Sequence, residues 1–185
     1  PMQFEPLSLP GLVLIRPARH GDARGWFSEV WRRDQWEAAG VKGDFVQDNQ
    51  SFSAQTGTVR GLHFQLPPFA QAKLVRCLSG RVLDVAVDLR RSSPGFGKAV
   101  SVELTAEGGE QLFIPAGFAH GFCTLEPDSG IAYKVDAYYS AAHDRGVRWN
   151  DPAFGIDWPV SEGDAVLSAK DKVQPFFADL TDLFD

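Results

Sequence analysis

Short hydrophobic runs, each interrupted after a few positions by glycine, proline, serine or aspartate, dominate the chain from residue 45 onward. The runs are rich in β-branched and aromatic residues, and several alternate apolar with polar positions, as strands do. Turn-forming segments such as Ser79-Gly80 and Ser93-Pro94-Gly95 separate them at close spacing. The pattern predicts strands over 11–16, 45–53, 59–65, 74–78, 81–89, 99–104, 111–114 and 131–139.

The best helix candidate covers residues 32–39 and runs up to Gly40, a residue suited to end a helix. Many closely spaced strands with few helices are typical of a sandwich or a jelly roll. From Trp149 the chain carries several prolines and no clear periodicity, so we expect it to pack on the barrel as an irregular tail. The sequence therefore predicts an all-β jelly roll with short flanking helices, forming one domain over residues 1–185.

The stretch 57–73 concentrates polar chemistry within an apolar part of the chain. It holds one histidine, two cations and two amides: His63, Arg60, Lys73, Gln65 and Gln71. If residues 59–65 form a strand, His63 and Gln65 share one face, and Arg60 lies on the other with Leu62 and Phe64. Polar groups on an inward face are either hydrogen-bonded or present for chemistry, so a merely satisfied core histidine is the alternative to a site.

Composition narrows the class of protein. Apolar residues make up 44% and charged residues 23% of the chain, as in ordinary globular proteins. The net charge of −6 argues against a general nucleic-acid binder. Cys77 and Cys123 lie in apolar runs without metal-like spacing, no run approaches the length of a membrane span, and no signal-peptide pattern is seen. We expect reduced thiols and a cytoplasmic protein.

A second polar stretch follows the spacing G-x5-P-x-G-x2-H, with Gly109, Pro115, Gly117 and His120. Together with the G-x5-H of residues 57–63, it resembles the signature segments of the cupin jelly rolls. The resemblance departs at residue 65, where metal-binding cupins have a second histidine and this chain has glutamine. Amide oxygens are weak ligands for zinc, iron or manganese, so we expect neither a metal nor another cofactor. A metal-dependent cupin dioxygenase or isomerase is the disfavoured alternative.

A narrower resemblance extends from about residue 24 to residue 171. The ordered segments include Arg24-Gly25-x-Phe27-x-Glu29, Gln47-Asp48-Asn49-x-Ser51, Arg60-Gly61-Leu62-His63, Gln71-x-Lys73, Phe118-Ala119-His120-Gly121-Phe122, Tyr133-Lys134 and Lys170-Asp171. This set resembles the dTDP-4-dehydrorhamnose 3,5-epimerases, metal-free cupins of deoxysugar biosynthesis. The resemblance implies an isomerase that inverts C3 and C5 of dTDP-4-dehydro-6-deoxy-D-glucose. It also implies a homodimer.

Inversion next to a ketone requires a base on one face, an acid on the other and a stabiliser for the enolate between them. His63 suits the base because histidine titrates near neutrality, and Tyr133 suits the acid because a phenol is neutral at rest. Lys73 is the candidate that stabilises the enolate oxygen. The resemblance assigns Asp171 as the carboxylate that holds the His63 tautomer.

A nucleotide-sugar substrate also needs anchors. Arg24 and Arg60 suit its diphosphate, because the guanidinium fork matches phosphate geometry. The resemblance places Tyr139 against the thymine ring. Strand parity suggests that His120 positions the sugar C4 oxygen and that Asp84 orients His120. The remaining substrate-binding residues implied are Phe27, Glu29, Gln47, Asp48, Asn49, Asp144 and Lys170, although the family often has glutamate at position 144.

Two other functions stay open from the sequence. One is an epimerase of a secondary-metabolite deoxysugar pathway that inverts C3 or C5 alone, since the motif residues are the same. The other is a non-catalytic cupin that binds a nucleotide sugar or mediates dimerisation. The acid–base set of His63, Lys73, Tyr133 and Asp171 counts against a pure binder.

Overall fold

The computed structural model describes residues 2–185 and consists mainly of antiparallel strands in two facing sheets. The six-stranded sheet has the order β1-β2-β10-β7-β12-β5, the five-stranded sheet has the order β13-β6-β11-β8-β9, and β3-β4 is a separate hairpin. The strands are β1 (Gln3–Pro6), β2 (Val13–Arg16), β3 (His20–Asp22), β4 (Gly25–Phe27), β5 (Gln47–Ser53), β6 (Val59–Gln65), β7 (Lys73–Ser79), β8 (Arg81–Asp88), β9 (Ala99–Thr105), β10 (Gln111–Ile114), β11 (Phe118–Thr124), β12 (Ser129–Val135) and β13 (Asp144–Gly146). The helix α1 covers Arg33–Ala38, and short 3₁₀ turns cover Ala141–His143, Pro152–Phe154, Asp171–Val173 and Phe177–Asp179.

The main core lies between the two sheets. Its largest contributions come from inward-facing side chains on alternate positions of each strand, which is the period of a pleated sheet. The six-stranded sheet supplies Val75, Leu112 and Ile131, and the five-stranded sheet supplies Val82 and Phe122, among others. This core fills the space between the sheets except at the end where the cavity described below opens.

Further apolar layers cover both outer faces. Trp36 of α1 packs with Ile15 and Phe113 on the outside of the six-stranded sheet. On the outside of the five-stranded sheet, Val85 and Val87 of β8 pack among residues of the C-terminal tail. Because both faces of β8 are covered, it reads in sequence as a nearly continuous apolar run. None of the helices within residues 2–185 is both long enough and apolar enough to cross a membrane.

The all-β prediction is confirmed, and most predicted strands lie within two residues of their observed positions. The helix also ends as expected, since Gly40 takes a positive φ of 91°. The strand predicted over 131–139 stops at Val135. The Asp136 N–H still donates to the Ala72 carbonyl at 3.3 Å, but the Ala72 N–H donates at 2.7 Å to the Asp136 carboxylate and not to a backbone carbonyl. Strands β1, β3, β4 and β13 were not predicted, because each has only three or four residues, too few to show a strand pattern.

Strand β6 departs from the predicted alternation at Arg60. The side chain was expected on the face opposite His63, but it bonds across to β5, with 3.0 Å contacts to Ser53 Oγ and the Phe52 carbonyl. The register between β6 and β11 shifts at this point, and Gly61 has a φ of 133°. A Cβ there would lie 2.6 Å from the Gly121 Cα, so glycine permits the close approach that turns Arg60 inward.

Candidate functional site

A cavity of about 490 Å³ opens between the sheets, with polar side chains from both around it. Strand β6 and the segment 166–171 form one wall, while β7 and β12 of the other sheet form the opposite wall. The lining residues are Ser51, Thr58, Val59, Arg60, His63, Lys73, His120, Phe122, Tyr133, Asp144, Val166, Leu167, Ser168, Lys170 and Asp171. All four residues predicted to be catalytic are therefore gathered in one place.

His63 is paired with a buried carboxylate from the C-terminal tail. Its Nε2 lies 2.6 Å from Asp171 Oδ1, and the other oxygen of Asp171 accepts a 3.1 Å hydrogen bond from the Gly61 N–H. The Asp171 N–H donates in turn to Ser168 Oγ. The His63 side chain is 36% exposed and that of Asp171 only 5%, so the ring has one protected nitrogen and one open side.

The carboxylate of Asp171 is held in its charged form. Burial by itself would raise the pKa of Asp171, but the hydrogen bond and charge of His63, aided by the Gly61 N–H, outweigh it and lower that pKa. An ionised Asp171 stabilises the imidazolium that forms when His63 takes a proton. The pair thus has the arrangement of a general base with its orienting carboxylate.

The facing wall carries a phenol and an ammonium group. Lys73 is buried, and its Nζ lies 5.7 Å from the centroid of the Tyr133 ring. Burial lowers the pKa of Lys73 to about 8, while the negative charges of Asp84 and Asp144 oppose that shift. Lys73 is therefore a cation held close to its titration point in a weakly solvated place, where a charge acts strongly on a nearby anion.

A second histidine–carboxylate pair lies beside the first. His120 of β11 is the cross-strand partner of His63, and its Nε2 is 2.7 Å from Asp84 Oδ1. Both His120 and Asp84 are buried. The ring of His120 also meets that of Tyr133 edge to face, at 6.5 Å between centroids. The predicted orientation of His120 by Asp84 is thus present as a contact.

The cavity rim carries three further predicted residues. Lys170 Nζ donates a 2.7 Å hydrogen bond to Asp144 Oδ2, which raises the pKa of Lys170. Arg60 lines the cavity while its guanidinium is held by β5. These cations give the rim positive groups suited to an anionic ligand, even though the whole chain is acidic.

Three predicted substrate-binding residues lie outside this cavity. Arg24 and Phe27 belong to the β3-β4 hairpin, where the Arg24 side chain is 90% exposed and bonds to Asp22. Phe27 is also exposed, at 67%. Glu29 follows the hairpin and accepts a 3.5 Å hydrogen bond from Arg32. Within one chain, these residues do not meet the catalytic set.

Four others lie on or near β5 and are not among the residues that line the cavity. Gln47 donates to Asn49 at 2.8 Å and accepts a 3.1 Å hydrogen bond from the Tyr139 N–H. Tyr139 is exposed. Asp48 lies on the opposite face of β5, where it pairs with Lys134 at 3.0 Å beside a separate depression lined also by Asn49. The binding roles of these residues stay predictions.

Gln65, at the position of a cupin metal ligand, and Gln71 both hydrogen-bond to the backbone. Gln65 donates to the carbonyls of Phe69 and Tyr138 and accepts from the Ser140 N–H at 2.9 Å, and Gln71 donates to Ala137. Across residues 2–185, no group of three or more histidine, cysteine, aspartate or glutamate side chains has a metal-binding arrangement. Gln65 serves to hold the turn after β12.

Several lining residues were not among the predicted site residues. Val166, Leu167 and Ser168 enter because the tail runs alongside β6, with a parallel bridge between Thr58 and Val166. The tail has no periodicity, but Leu167 and Ser168 belong to the same matched segment as Lys170 and Asp171, which the family resemblance had placed in the site. Ser51 was detectable, because it lies on the same face of β5 as Asn49.

Comparisons with known proteins agree over nearly the whole chain. The sequence profile described as dTDP-4-dehydrorhamnose 3,5-epimerase matches residues 6–179. A protein of that name from Sinorhizobium fredii (strain NBRC 101917 / NGR234) is 57% identical, covering 97% of this chain and 91% of its own. A crystal structure of such an epimerase from Bacillus anthracis str. Ames, with TDP and PPi bound, has a TM-score of 0.92 at 46% identity and covers 95% of this chain and 99% of that one. A Legionella pneumophila Philadelphia 1 dTDP-6-deoxy-D-glucose-3,5-epimerase, in complex with dTDP-4-keto-L-rhamnose, has a TM-score of 0.91 at 40% identity and covers 97% of this chain and 95% of that one.

Proposed function

Because the chain belongs to the dTDP-4-dehydrorhamnose 3,5-epimerase family, we propose that its cavity epimerises C3 and C5 of dTDP-4-dehydro-6-deoxy-D-glucose. The product is dTDP-4-dehydro-L-rhamnose, and the enzyme is an isomerase that acts on carbohydrates. The observation that carries the proposal is that the candidate base and the candidate acid lie on opposite walls of one cavity. The His63–Asp171 pair lies on one wall, and Tyr133 with Lys73 lies on the other.

In this proposal His63 removes the proton from the carbon next to the C4 ketone. The electron pair of the broken C–H bond forms a double bond to C4, and negative charge develops on the C4 oxygen as the enolate forms. Asp171 stabilises the imidazolium that results. Because His63 comes from the five-stranded sheet and Tyr133 from the six-stranded sheet, a sugar between them meets the base on one face and the phenol on the other. Tyr133 then delivers a proton to the opposite face, which inverts the carbon.

Lys73 stabilises the enolate in the same scheme. A buried ammonium next to the developing oxyanion lowers the barrier, because charges interact strongly where water is excluded. His120 positions the same oxygen from the neighbouring strand. The nucleotide diphosphate lies along the cationic rim of Arg60 and Lys170. Tyr139, which is exposed near that rim, stacks on the thymine ring. No step of this chemistry requires a cofactor.

Hydrogen exchange tests the proposal directly. Purified protein is incubated with dTDP-4-dehydro-6-deoxy-D-glucose in heavy water and followed by proton NMR. Deuterium is expected at both C3 and C5 together with formation of the L-rhamno product, because each inversion passes through loss of a carbon-bound proton. Exchange at one carbon only would identify a single-centre epimerase instead. Binding of the nucleotide with no exchange at all would leave a non-catalytic nucleotide-sugar-binding protein.

We also propose that the protein is a homodimer in which the β3-β4 hairpin of each chain reaches the cavity of the other. The hairpin exposes Trp26 and Phe27 at 58% and 67%, an apolar surface that a partner would cover. Arg19 anchors it to the body, with its guanidinium 3.8 Å over the Trp26 ring and a hydrogen bond to the Ala106 carbonyl. A second chain would explain how Arg24 contributes to substrate binding although it lies outside the cavity of its own chain.

Mixing two inactive chains tests this arrangement. Coexpression of a His63→Ala chain with an Arg24→Ala chain is expected to restore about a quarter of wild-type activity, because half the dimers are mixed and one cavity in each is fully native. Sedimentation should give twice the chain mass of 20.3 kDa. A monomeric wild type, or mixtures no more active than the separate variants, would contradict the shared site.

Two further predictions, on cellular location and on domain organisation, are consistent with this function. A cytoplasmic location is supported by Cys77 and Cys123, both free and buried, with pKa values that burial raises to about 11. One-domain organisation is supported by pairing between distant parts of the chain, since β2 pairs with β10 and Phe184 bridges to Arg90. Both remain proposals.

A further inference from the structure

Asp84 is a fully buried carboxylate in a row of side chains that otherwise form the core. It alternates along β8 with Val82 and Ala86, both part of the apolar cluster between the sheets. Its Oδ1 contacts His120 at 2.7 Å, but its Oδ2 is buried and has no hydrogen-bond partner among the described residues. A buried carboxylate oxygen without a partner is costly, so orienting His120 does not by itself explain this residue type here.

Lys73 lies on β7 of the other sheet and belongs to the same cluster of side chains, because its Nζ is 5.7 Å from the centroid of the Tyr133 ring and that ring meets His120, the partner of Asp84. Within residues 2–185, no carboxylate comes within 4.0 Å of the Lys73 ammonium. Asp84 and Asp144 nevertheless act on it through space, and Asp84 has the larger effect. The three N–H donors of Lys73 are thus left for a ligand, while a fixed negative charge lies nearby.

We propose that Asp84 is a positioning residue for two groups at once: it holds His120 through one oxygen, and its charge keeps Lys73 cationic without occupying the donors of the ammonium. The inference rests on the proposed epimerase function and deepens it. Burial favours a neutral amine, which could not stabilise an enolate. A direct ion pair would keep the charge but would consume the donors that the enolate needs. A carboxylate set back from the ammonium meets both requirements.

Groups from several elements influence the charge of Lys73, so the effect of Asp84 must be measured separately from theirs. Asp144 of β13 also supports the cation, and it is itself paired with Lys170 at 2.7 Å. The other titratable groups around the cavity are His63, His120, Tyr133, Arg60 and Asp171. Of these, His120 is the one in direct contact with Asp84, and it provides the comparison variant.

The alkaline limb of the pH profile of kcat/KM measures the effect. The pKa of Lys73 is about 8, so activity that needs the ammonium is full below this value and is lost as the pH rises through it. Asp84→Asn keeps a hydrogen-bonding side chain at His120 but removes the negative charge. The charged form of Lys73 then loses support, and the limb is expected to move to lower pH by about 1 unit.

The comparison variants separate this effect from a structural one. His120→Asn retains the Asp84 charge, so kcat should fall with the limb unmoved. Lys73→Arg should remove the limb from the region of pH 8, because a guanidinium stays charged. If Asp84→Asn and His120→Asn reduce activity alike with neither shifting the limb, Asp84 merely orients His120 and the inference is wrong.

A further variant covers poor folding of Asp84→Asn, which circular dichroism would reveal. Asp84→Glu keeps the charge and disturbs the contact with His120, so its limb should stay near that of the wild type. A limb that moves to lower pH in Asp84→Glu would overturn the proposal. If the wild type turns over the substrate but the alkaline limb of Asp84→Asn does not move, this inference alone is wrong. If the wild type shows no turnover at any pH, the epimerase function is wrong.

Discussion

Replacing His63 with alanine is expected to lower kcat by about 10²- to 10⁴-fold, the range that a positioned general base contributes. Deuterium should then enter neither C3 nor C5 of the substrate in heavy water, because the other histidine on that wall, His120, is buried against Asp84 and is assigned to position the C4 oxygen. The measurement combines steady-state turnover with proton NMR of the recovered sugar nucleotide.

The matched control is His143→Ala, which removes another partly buried imidazole whose contacts are Ser140 and Phe69 and which does not line the cavity. Its activity should stay near that of the wild type. Binding of dTDP to His63→Ala, measured by calorimetry, checks that the cavity persists. Continued exchange at either carbon in His63→Ala would show that another group removes the proton.

Tyr133→Phe is expected to separate proton removal from inversion. The substitution removes only the hydroxyl, so the ring that contacts Lys73 and His120 is retained. Inversion should fall by about 10²- to 10⁴-fold through loss of the general acid, while deuterium still enters the substrate with retained configuration because His63 remains. Measuring the configuration at C3 and C5 together with the deuterium content of the sugar distinguishes inversion from proton removal.

Tyr138→Phe serves as the control, since that tyrosine is 62% exposed and outside the cavity lining. It should exchange and invert like the wild type. If Tyr133→Phe inverts both carbons at the wild-type rate, the proton that completes inversion comes from elsewhere. If it loses exchange as well, Tyr133 acts before or during proton removal and the assigned order of steps is wrong.

Much of the scaffold followed from local sequence. The pattern of residues 59–65 predicted a strand that the structure reproduces at the same bounds, and the run 111–114 predicted β10, which ends directly before Pro115. Such features depend on neighbours a few positions apart, which is the range over which backbone preference acts. The family and its epimerase activity, inferred from the ordered motifs, are confirmed by the comparisons.

Long-range placement did not follow from local pattern. Nothing near Arg60 in sequence shows that β6 bulges and turns its side chain inward, because the cause is the close approach of Gly121 from another strand. Nothing in the hairpin shows that Arg24 lies outside the cavity of its own chain. The motif assigned both residues to one ligand, and only the fold separates them.

The sequence by itself named the candidate residues for the chemistry and predicted the strands that carry His63 and Tyr133, since strand pattern is a local property. The tertiary structure alone decided their pairing. His63 and Asp171 meet at 2.6 Å although 108 positions separate them, and His120 meets Asp84 across 36 positions. These contacts exist because sheet pairing and the packed tail bring distant segments together. There, burial lowers the pKa of Lys73, and the contact with His63 lowers the pKa of Asp171 against the effect of burial, which no local pattern predicts.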